Sequence, residues 1–297
     1  MPTSALKFKT ITVATDLGET ASSALRYAQG IAKLHHSTLV LVHVVDPVGY
    51  AFPEGMPSSL EANPAARAEL QKTEEETRRQ GIPVHSIMET GVVCERILQA
   101  VKDHHSDLLV LGTRGKTAAG RVALGRIARQ LLAKSPCPIL TVSPDADTSV
   151  EYAGRWRHVL AAIDFSPVSV SALFCAHQMA NKKLVVLHVP RCFSEDECSK
   201  CLERLRFLAP FNESHTVPVE HIVKSGDASE LIAEYALKHH VDLIILGSPL
   251  NELSEEDMPT STVLQVVSNV TCPVLCVPVP TDISPLTLIR EVAFAPQ

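Results

Sequence analysis

Glycines and cations are concentrated in one stretch of the chain, between residues 112 and 126. Gly112, Gly115 and Gly125 follow the apolar run LLVL at 108–111. Glycine lets the backbone approach a ligand closely and turn its N–H groups toward an anion, and the start of a helix adds the positive end of its dipole. Together these features predict a phosphate-binding loop. The same stretch carries four cationic side chains: Arg114, Lys116, Arg121 and Arg126.

A carboxylate ends the first predicted strand, in the sequence Ala14-Thr15-Asp16. In an open doubly wound sheet, ligands bind beyond the carboxyl ends of the strands, at the point where the strand order reverses. The end of the first strand and the loop after the fourth strand meet at that point. We therefore predict that Asp16 lies beside the glycine-rich loop. The alternative is that Asp16 only caps the helix after the first strand.

The sequence Gly115-Lys116-Thr117 resembles the end of a P-loop, but the spacing excludes that motif. A Walker A sequence needs a glycine five residues before its second glycine, and Val110 occupies that position. The loop also follows the predicted fourth strand rather than the first. We therefore do not predict a P-loop nucleoside triphosphatase.

Histidines and cysteines give weaker signals. His188, Cys192, Cys198 and Cys201 are residue types that bind zinc, but they form no complete four-ligand pattern with a recognised spacing. A redox role for the Cys-x-x-Cys pair lacks the thioredoxin-like context. His43 and His188 lie within equivalent predicted strands, which favours structural histidines over catalytic ones. We predict no metal site.

Catalytic motifs are not found in the sequence. It contains no Ser-His-Asp order, no HExxH motif and no paired-carboxylate catalytic motif. The dipeptides His104-His105 and His239-His240 are predicted at helix ends, where partial positive charge complements the helix dipole. We predict no catalytic residues and no efficient hydrolysis. Slow turnover of ATP, supported by Mg²⁺ and an ordered water, stays open.

The composition argues against several classes of function. The chain of 297 residues has a formal net charge of -6 and 4% aromatic residues, which does not suit nonspecific nucleic-acid binding. The first residues contain no apolar h-region, and no apolar run reaches transmembrane length. Eight cysteines are too sparse for a disulfide scaffold. We expect a cytoplasmic protein with neither nucleic acid nor membrane as a partner.

An internal repeat organises the sequence. DLLVLGT at 107–113 returns as DLIILGS at 242–248, an offset of 135 (242 minus 107). PCPIL at 136–140 returns as TCPVL at 271–275 with the same offset, and LVLVHVV at 39–45 returns as LVVLHVP at 184–190. ITVATD at 11–16 returns as VLAAID at 159–164. Four segments that recur in the same order indicate a duplication.

Each copy alternates strands with helices, which predicts a parallel sheet with right-handed crossovers and helices on both faces. Apolar residues at 25, 28 and 32 indicate a buried helix face, and Ser166-Pro167 indicates a helix start. We predict domains at 1–146 and 156–280, a linker over 143–155 and a tail over 281–297. The predicted strands of the first copy are Ile11–Thr15, Leu39–Val45, Val84–Glu89, Leu108–Leu111 and Ile139–Val142.

The motifs of the first copy resemble those of universal stress proteins. The ATP-binding signature of that family is Gly-x-x-Gly, nine residues, and then Gly with Ser or Thr, ahead of a Pro-Cys-Pro strand. Gly112, Gly115 and Gly125 match its spacing, and PCPILTVSP at 136–144 is similar to the family's last strand. The resemblance covers both copies, and it indicates a tandem universal stress protein.

The resemblance implies a Rossmann-like α/β fold, in which each copy is a five-stranded parallel sheet of strand order 3-2-1-4-5. It also implies an ATP site, with or without Mg²⁺. Asp16 would hold the adenosine, the backbone near Val42 would meet adenine, and the three glycines with the following residues would surround the phosphates. The predicted nucleotide-binding residues are Ala14, Thr15, Asp16, Val42, Gly112, Arg114, Gly115, Gly125, Arg126 and Ile127.

Arg126 departs from the family signature, which has Ser or Thr after the third glycine. A small hydroxyl is replaced by a long cation. The guanidinium either pairs with phosphate as a fork or projects away from the site.

The second copy departs further, because it retains Gly247 but carries a run of carboxylates where the first copy carries cations. Carboxylates repel phosphate. We predict that this copy serves packing and dimerisation, either within the chain or in a homodimer. The acidic residues are Glu252, Glu255, Glu256 and Asp257.

The leading interpretation is a cytoplasmic stress-response protein that binds ATP, or a related adenine nucleotide, in its first copy. Two alternatives stay open. One is a nucleotide-free dimerisation and interaction module, and the other is a slow ATPase.

Overall fold

The computed structural model describes residues 7–46, 64–113, 124–149, 154–190, 194–210, 217–249 and 261–278. The chain divides into two compact units, one of Phe8–Gly154 and one that begins at Arg155. Each unit contains one copy of the repeat. Within the described residues, no helix combines the length and apolar character that a membrane span requires.

The first unit has five strands and four helices in strict alternation. Its strands are parallel and lie in the order β3-β2-β1-β4-β5. The predicted strand order and all five predicted strands are confirmed, the strands to within one residue at either end. The elements are β1 Thr10–Ala14, α1 Glu19–His35, β2 Thr38–Val45, α2 Pro64–Arg79, β3 Val84–Thr90, α3 Val93–Asp103, β4 Leu108–Gly112, α4 Arg126–Lys134 and β5 Ile139–Val142.

The second unit repeats this architecture, with its strands in the order β8-β7-β6-β9-β10. The doubly wound fold that the repeat predicts is therefore present twice. The elements are β6 Trp156–Ala162, α5 Pro167–Met179, β7 Ala180–His188, α6 Glu195–Leu208, β8 Val219–Val223, α7 Ala228–Lys238, β9 Leu243–Ser248, α8 Thr262–Asn269 and β10 Val274–Pro278.

Burial on both faces of the sheet explains the unbroken apolar runs of the central strands. Leu39 to Val42 in β2 and Leu108 to Val110 in β4 are all exposed by 1% or less. Helix α1 covers β4 and β5, while α3 and α4 contact each other and α3 lies on β1 and β2. A parallel sheet covered in this way has no solvated face, so its strands do not alternate between apolar and polar residues.

The first turns of the helices differ in how they are capped. Ser166 is the N-cap of α5 and accepts a hydrogen bond from Ser169 N at 3.3 Å, with Pro167 at the first helical position, which confirms the predicted helix start. Asp227 caps α7 by accepting from Glu230 N at 3.0 Å. At the equivalent position of the first copy, the N-cap of α3 is Val92, which is 59% exposed and cannot accept a hydrogen bond.

The segment predicted as a linker is packed on the first unit. Gly154 has φ +84, and a Cβ there would lie 2.8 Å from Ile31 N, so only glycine fits this close approach to α1. Residues 143–149 run along the same helix. Three side chains of α1 donate hydrogen bonds to them: Ser23 Oγ to Pro144 O (3.3 Å), Arg26 Nη1 to Thr148 Oγ1 (3.1 Å) and Tyr27 Oη to Asp147 O.

Two imidazoles meet where α3 ends beside the edge strand β3. His104 is the C-cap of α3, and its ring centroid lies 4.9 Å from that of His85. Burial and the nearby His104 hold the pKa of His85 below its ordinary value of 6.5, while Glu74 on α2 acts in the opposite direction. A neutral His85 therefore suits the folded chain.

We expect Val92→Asp to raise the free energy of unfolding by about 1 kcal/mol, because a carboxylate at the N-cap can accept a hydrogen bond from the first turn of α3. Urea denaturation measures the change. Val92→Ala is the matched control and should have little effect. No gain of Val92→Asp over Val92→Ala would contradict the assignment of an uncapped helix.

We expect the chain to lose stability as the pH falls below about 6.5, and His85→Gln to reduce that loss. The unfolded chain protonates this imidazole more readily than the folded chain, so the stability present above that pH disappears on acidification. Thermal midpoints between about pH 8 and pH 5 measure the effect. The exposed His36→Gln serves as the control. A pH dependence of His85→Gln equal to that of the wild type would refute the assignment.

Candidate functional site

The carboxyl end of β1 forms a tight turn that presents Asp16. Asp16 Oδ1 accepts a hydrogen bond from Gly18 N at 2.9 Å, and Thr15 Oγ1 accepts one from Leu17 N at 3.0 Å. Leu17 lies in the left-handed region with φ 57, and Gly18 is the N-cap of α1. No side chain caps this helix, so the alternative interpretation of Asp16 as a helix cap is wrong. The carboxylate instead closes the turn that precedes α1. The carboxylate itself is half-buried at the edge of the sheet.

Strand β2 holds this turn in place through backbone bonds. Thr15 N donates to Val42 O at 3.0 Å, and His43 Nδ1 donates to Thr15 O at 2.9 Å. This bond gives His43 a structural role, in line with the interpretation from the sequence. Val42 is only 1% exposed and its carbonyl is engaged with β1, so its predicted contact with adenine remains a prediction.

The end of β4 is tied to the start of α4. Thr113 N donates to Val142 O at 3.0 Å, and Gly125 N donates to Thr113 O at 3.0 Å. Gly125 is the N-cap of α4, and no side chain caps this helix. The first turn of α4 contains no acidic residue, and it begins with the exposed Arg126 and the half-buried Ile127. Its positive dipole end is therefore not neutralised from within the turn.

The strand register brings the two halves of the predicted site to one edge of the sheet. Ala14 pairs with Leu111, so Asp16 and Gly112 lie just past paired positions of neighbouring strands. The bond from Gly125 to Thr113 adds the N-terminus of α4 to the same edge. Arg114, Gly115, Lys116 and Arg121 of the predicted loop lie outside the described residues.

The second unit repeats the bonds of the first at its carboxyl edge. Ile163 N donates to Leu187 O at 2.9 Å, and His188 Nδ1 donates to Ile163 O at 2.7 Å. Phe165 is left-handed with φ 65, as Leu17 is in the first unit. The two edges therefore share one backbone framework, and they differ in their side chains.

Asp164 is engaged by its own turn. Its Oδ1 accepts from both Ser166 N at 2.9 Å and Ser166 Oγ at 2.5 Å. Burial raises the pKa of Asp164, but these hydrogen bonds outweigh it and leave the pKa below its usual value. Ser166 in turn caps α5. This carboxylate thus supports a helix cap.

Gly247 has a packing reason to be retained in the second copy. A Cβ at Gly247 would lie 2.7 Å from Ser169 N and 2.7 Å from Val168 C. The first turn of α5 therefore rests directly on the backbone of β9 and excludes any side chain. The presence of this glycine does not indicate a ligand site.

Ser248 ends β9 with an unsatisfied hydroxyl. The side chain is 4% exposed, and its Oγ is the only buried side-chain nitrogen or oxygen of the described residues that has no hydrogen-bond partner. A buried polar atom without a partner costs about 1 to 3 kcal/mol. Thr113 occupies the equivalent position in the first copy.

The described cysteines of α6 form no group of metal ligands. Cys198 and Cys201 lie on α6, and Cys192 lies outside the described residues. Among the residues that the structure describes, no three His, Cys, Asp or Glu side chains are grouped as metal ligands. Desolvation, together with Cys201 and Glu197, raises the pKa of Cys198, which disfavours the thiolate needed for metal or redox chemistry.

Comparison with known proteins places this architecture in a family. The family model described as "Universal stress protein family" matches residues 7–143 and again 155–278. The chain belongs to the universal stress protein family. The two matches correspond to the two copies of the repeat, so this is a tandem universal stress protein.

Individual relatives agree with this assignment. A universal stress protein of Thermus aquaticus is 35% identical over 141 residues, which is 46% of this chain and 98% of that protein. A universal stress protein of Mycolicibacterium smegmatis is 30% identical over 190 residues, covering 60% of this chain and 63% of that protein. The fold is similar to that of a universal stress protein structure from Archaeoglobus fulgidus, 18% identical, which superposes with a TM-score of 0.76 over 92% of this chain and 97% of that one.

Phe165 and Arg204 are residues of the second carboxyl edge that the sequence interpretation missed. Alignment of the two copies could have identified Phe165, because it places Phe165 opposite Leu17. Arg204 lies on α6, within the stretch where the two copies do not align.

We expect Ser248→Ala to leave the free energy of unfolding unchanged or to raise it by about 1 kcal/mol, since it removes a hydroxyl that has no partner. The buried Ser169→Ala is the matched control and should be destabilising, because Ser169 Oγ donates to Ser166 O at 3.0 Å. Chemical denaturation of both variants measures the difference. A larger loss for Ser248→Ala than for Ser169→Ala would show that the Ser248 hydroxyl is satisfied.

Proposed function

We propose that the first unit binds ATP, or a related adenine nucleotide, at the carboxyl ends of β1 and β4. In this proposal the second unit serves packing and dimerisation. The observation that carries the proposal is that the carboxylate of Asp16 and the uncapped N-terminus of α4 lie at one edge of the sheet. The pairing of Ala14 with Leu111 and the bond from Gly125 N to Thr113 O support this arrangement.

Complementary charge supports the two ends of such a ligand. Asp16 offers an acceptor for the hydroxyl groups of a ribose. The N-terminus of α4 offers backbone N–H groups and a positive dipole to phosphate oxygens. Arg126 and Arg129 add exposed cations in the first turn of α4. A ligand with a sugar at one end and phosphates at the other suits this polarity.

Arg126 replaces the family's hydroxyl with a fork of N–H donors at the first position of α4. In the proposed complex the guanidinium pairs with phosphate oxygens from the solvent side, in the bidentate geometry that arginine favours. The three glycines of the loop would provide the backbone contacts. Mg²⁺ would accompany the triphosphate as a counterion.

Nucleotide binding gives the protein a way to respond to the state of the cell. A ligand that binds only the folded state stabilises that state by mass action once its concentration exceeds its dissociation constant. We place this response in the cytoplasm, where ATP is abundant and thiols stay reduced. The described residues provide a binding surface in this proposal rather than a set of catalytic groups.

We expect Asp16→Ala to weaken ATP binding at least tenfold, about 1.4 kcal/mol, while Asp164→Ala leaves it unchanged. Asp16 lies beside the proposed site, whereas Asp164 lies in the other unit and is bonded to Ser166, the cap of α5. Titration calorimetry with MgATP measures both variants, and thermal midpoints check that they are folded. Equal effects of the two changes would contradict a single site in the first unit.

The same titration separates the alternatives. Wild-type protein that gives neither heat nor a thermal shift with MgATP would support the nucleotide-free interaction module. Phosphate release above the blank, lost in Asp16→Ala, would support a slow ATPase.

A further inference from the structure

An aromatic ring stands at the carboxyl edge of the second unit, where the first unit has an aliphatic side chain. Phe165 follows Asp164 just as Leu17 follows Asp16, and both residues adopt left-handed φ values, 65 and 57. Because the backbone conformation is shared, the two side chains leave the backbone at equivalent positions beyond the ends of their strands. Leu17 lies next to the proposed nucleotide site of the first unit. Phe165 therefore places a ring at the corresponding position of the second unit.

Two planar groups hold the Phe165 ring. Its centroid lies 4.4 Å from the ring of His188, which ends β7 and is itself fixed by the bond from Nδ1 to Ile163 O. The guanidinium of Arg204, on α6, lies over the Phe165 ring with its Cζ 3.9 Å from the centroid. This arrangement combines an aromatic pair with a cation–π contact. The ring is half-buried and is contacted by two elements of the second unit, β7 and α6.

From these contacts we propose that Phe165, held by His188 and Arg204, occupies the place that a nucleoside would take in the second unit, so that the chain binds one nucleotide instead of two. This inference rests on the proposed function of the first unit. It names Phe165 and Arg204 as the residues that restrict nucleotide binding to one copy.

The carboxylate of the second copy supports this assignment. Asp164 Oδ1 already accepts two hydrogen bonds from Ser166, which caps α5. In the first copy, Gly18 stands at the position of Ser166 and has no hydroxyl to donate. These two bonds close the turn at Phe165 and so hold the backbone that carries the ring.

An aromatic residue at such an edge can instead act as a platform on which a base stacks. The position of Arg204 argues against this, because the guanidinium already covers a face of the Phe165 ring. A base would have to displace it. The occupied ring is thus better explained as a substitute for the ligand than as a surface for one.

Adenosine is the appropriate probe, because it has no phosphates for the acidic residues at 252–257 to repel. Equilibrium dialysis with radiolabelled adenosine gives the number bound per full-length chain. We expect one equivalent of adenosine for the wild type and two for Phe165→Leu/Arg204→Ala. The dissociation constant of the second unit should be at least tenfold lower in this variant than in the wild type. The matched control is Arg206→Ala/Phe207→Leu, which changes the same residue types at exposed positions of α6 and should stay at one equivalent.

A reciprocal change covers the case in which the double variant does not fold, as judged by its circular dichroism. Leu17→Phe places the ring in the first copy and should weaken adenosine binding there at least tenfold. Asp16→Ala in the Phe165→Leu/Arg204→Ala background should remove the first equivalent and leave the second.

The outcomes separate this inference from the proposed function. Two equivalents for the wild type, or one for a folded double variant, would overturn the role of Phe165 and leave nucleotide binding by the first unit intact. Weaker binding in Phe165→Leu than in the wild type would show that the ring is a stacking platform. No adenosine and no ATP bound by any variant would overturn both proposals.

Discussion

Backbone hydrogen bonding at the carboxyl edge of the sheet is the constraint on which the rest of the structure depends. The strands are buried on both faces, so each N–H and C=O group at their ends needs a partner inside the protein. Thr15 O and Ile163 O, at the ends of the first strands of the two copies, each accept from a histidine of the neighbouring strand. His43 and His188 are therefore retained for the same structural reason. They fix the point at which the chain leaves the sheet, and with it the positions of the two carboxylates.

The strand order and the fold were predictable from the sequence because their causes are local or repeated. Parallel strands covered on both faces must be unbroken apolar runs, and the duplication displays each run twice. The start of α5 was equally predictable, since Ser166 and Pro167 act on the turn in which they stand. The position of Asp16 beside Gly112 follows once the strand order is known.

Contacts between segments that are distant in the sequence could not be predicted, because they leave no local sequence pattern. The segment 143–149 has the composition of a linker, yet side chains of α1 donate hydrogen bonds to it. Arg204 looks like any solvated helix residue until the fold brings it over Phe165. Helix α3 has no capping side chain at Val92, and this feature appears only once the structure shows where α3 begins. Such features depend on three-dimensional proximity, which neither periodicity nor composition records.

The first copy of the repeat and the first folded body do not coincide. The repeated sequence ends with β5 at Val142, whereas the compact unit extends to Gly154, which rests on the backbone of α1. A polypeptide cut at the end of the repeat would lose Asp147, whose carbonyl accepts from the Tyr27 hydroxyl, and Ala146, which is buried in the full chain. The duplicated sequence and the compact unit are thus different stretches of chain. Any dissection of the protein into halves has to follow the second boundary.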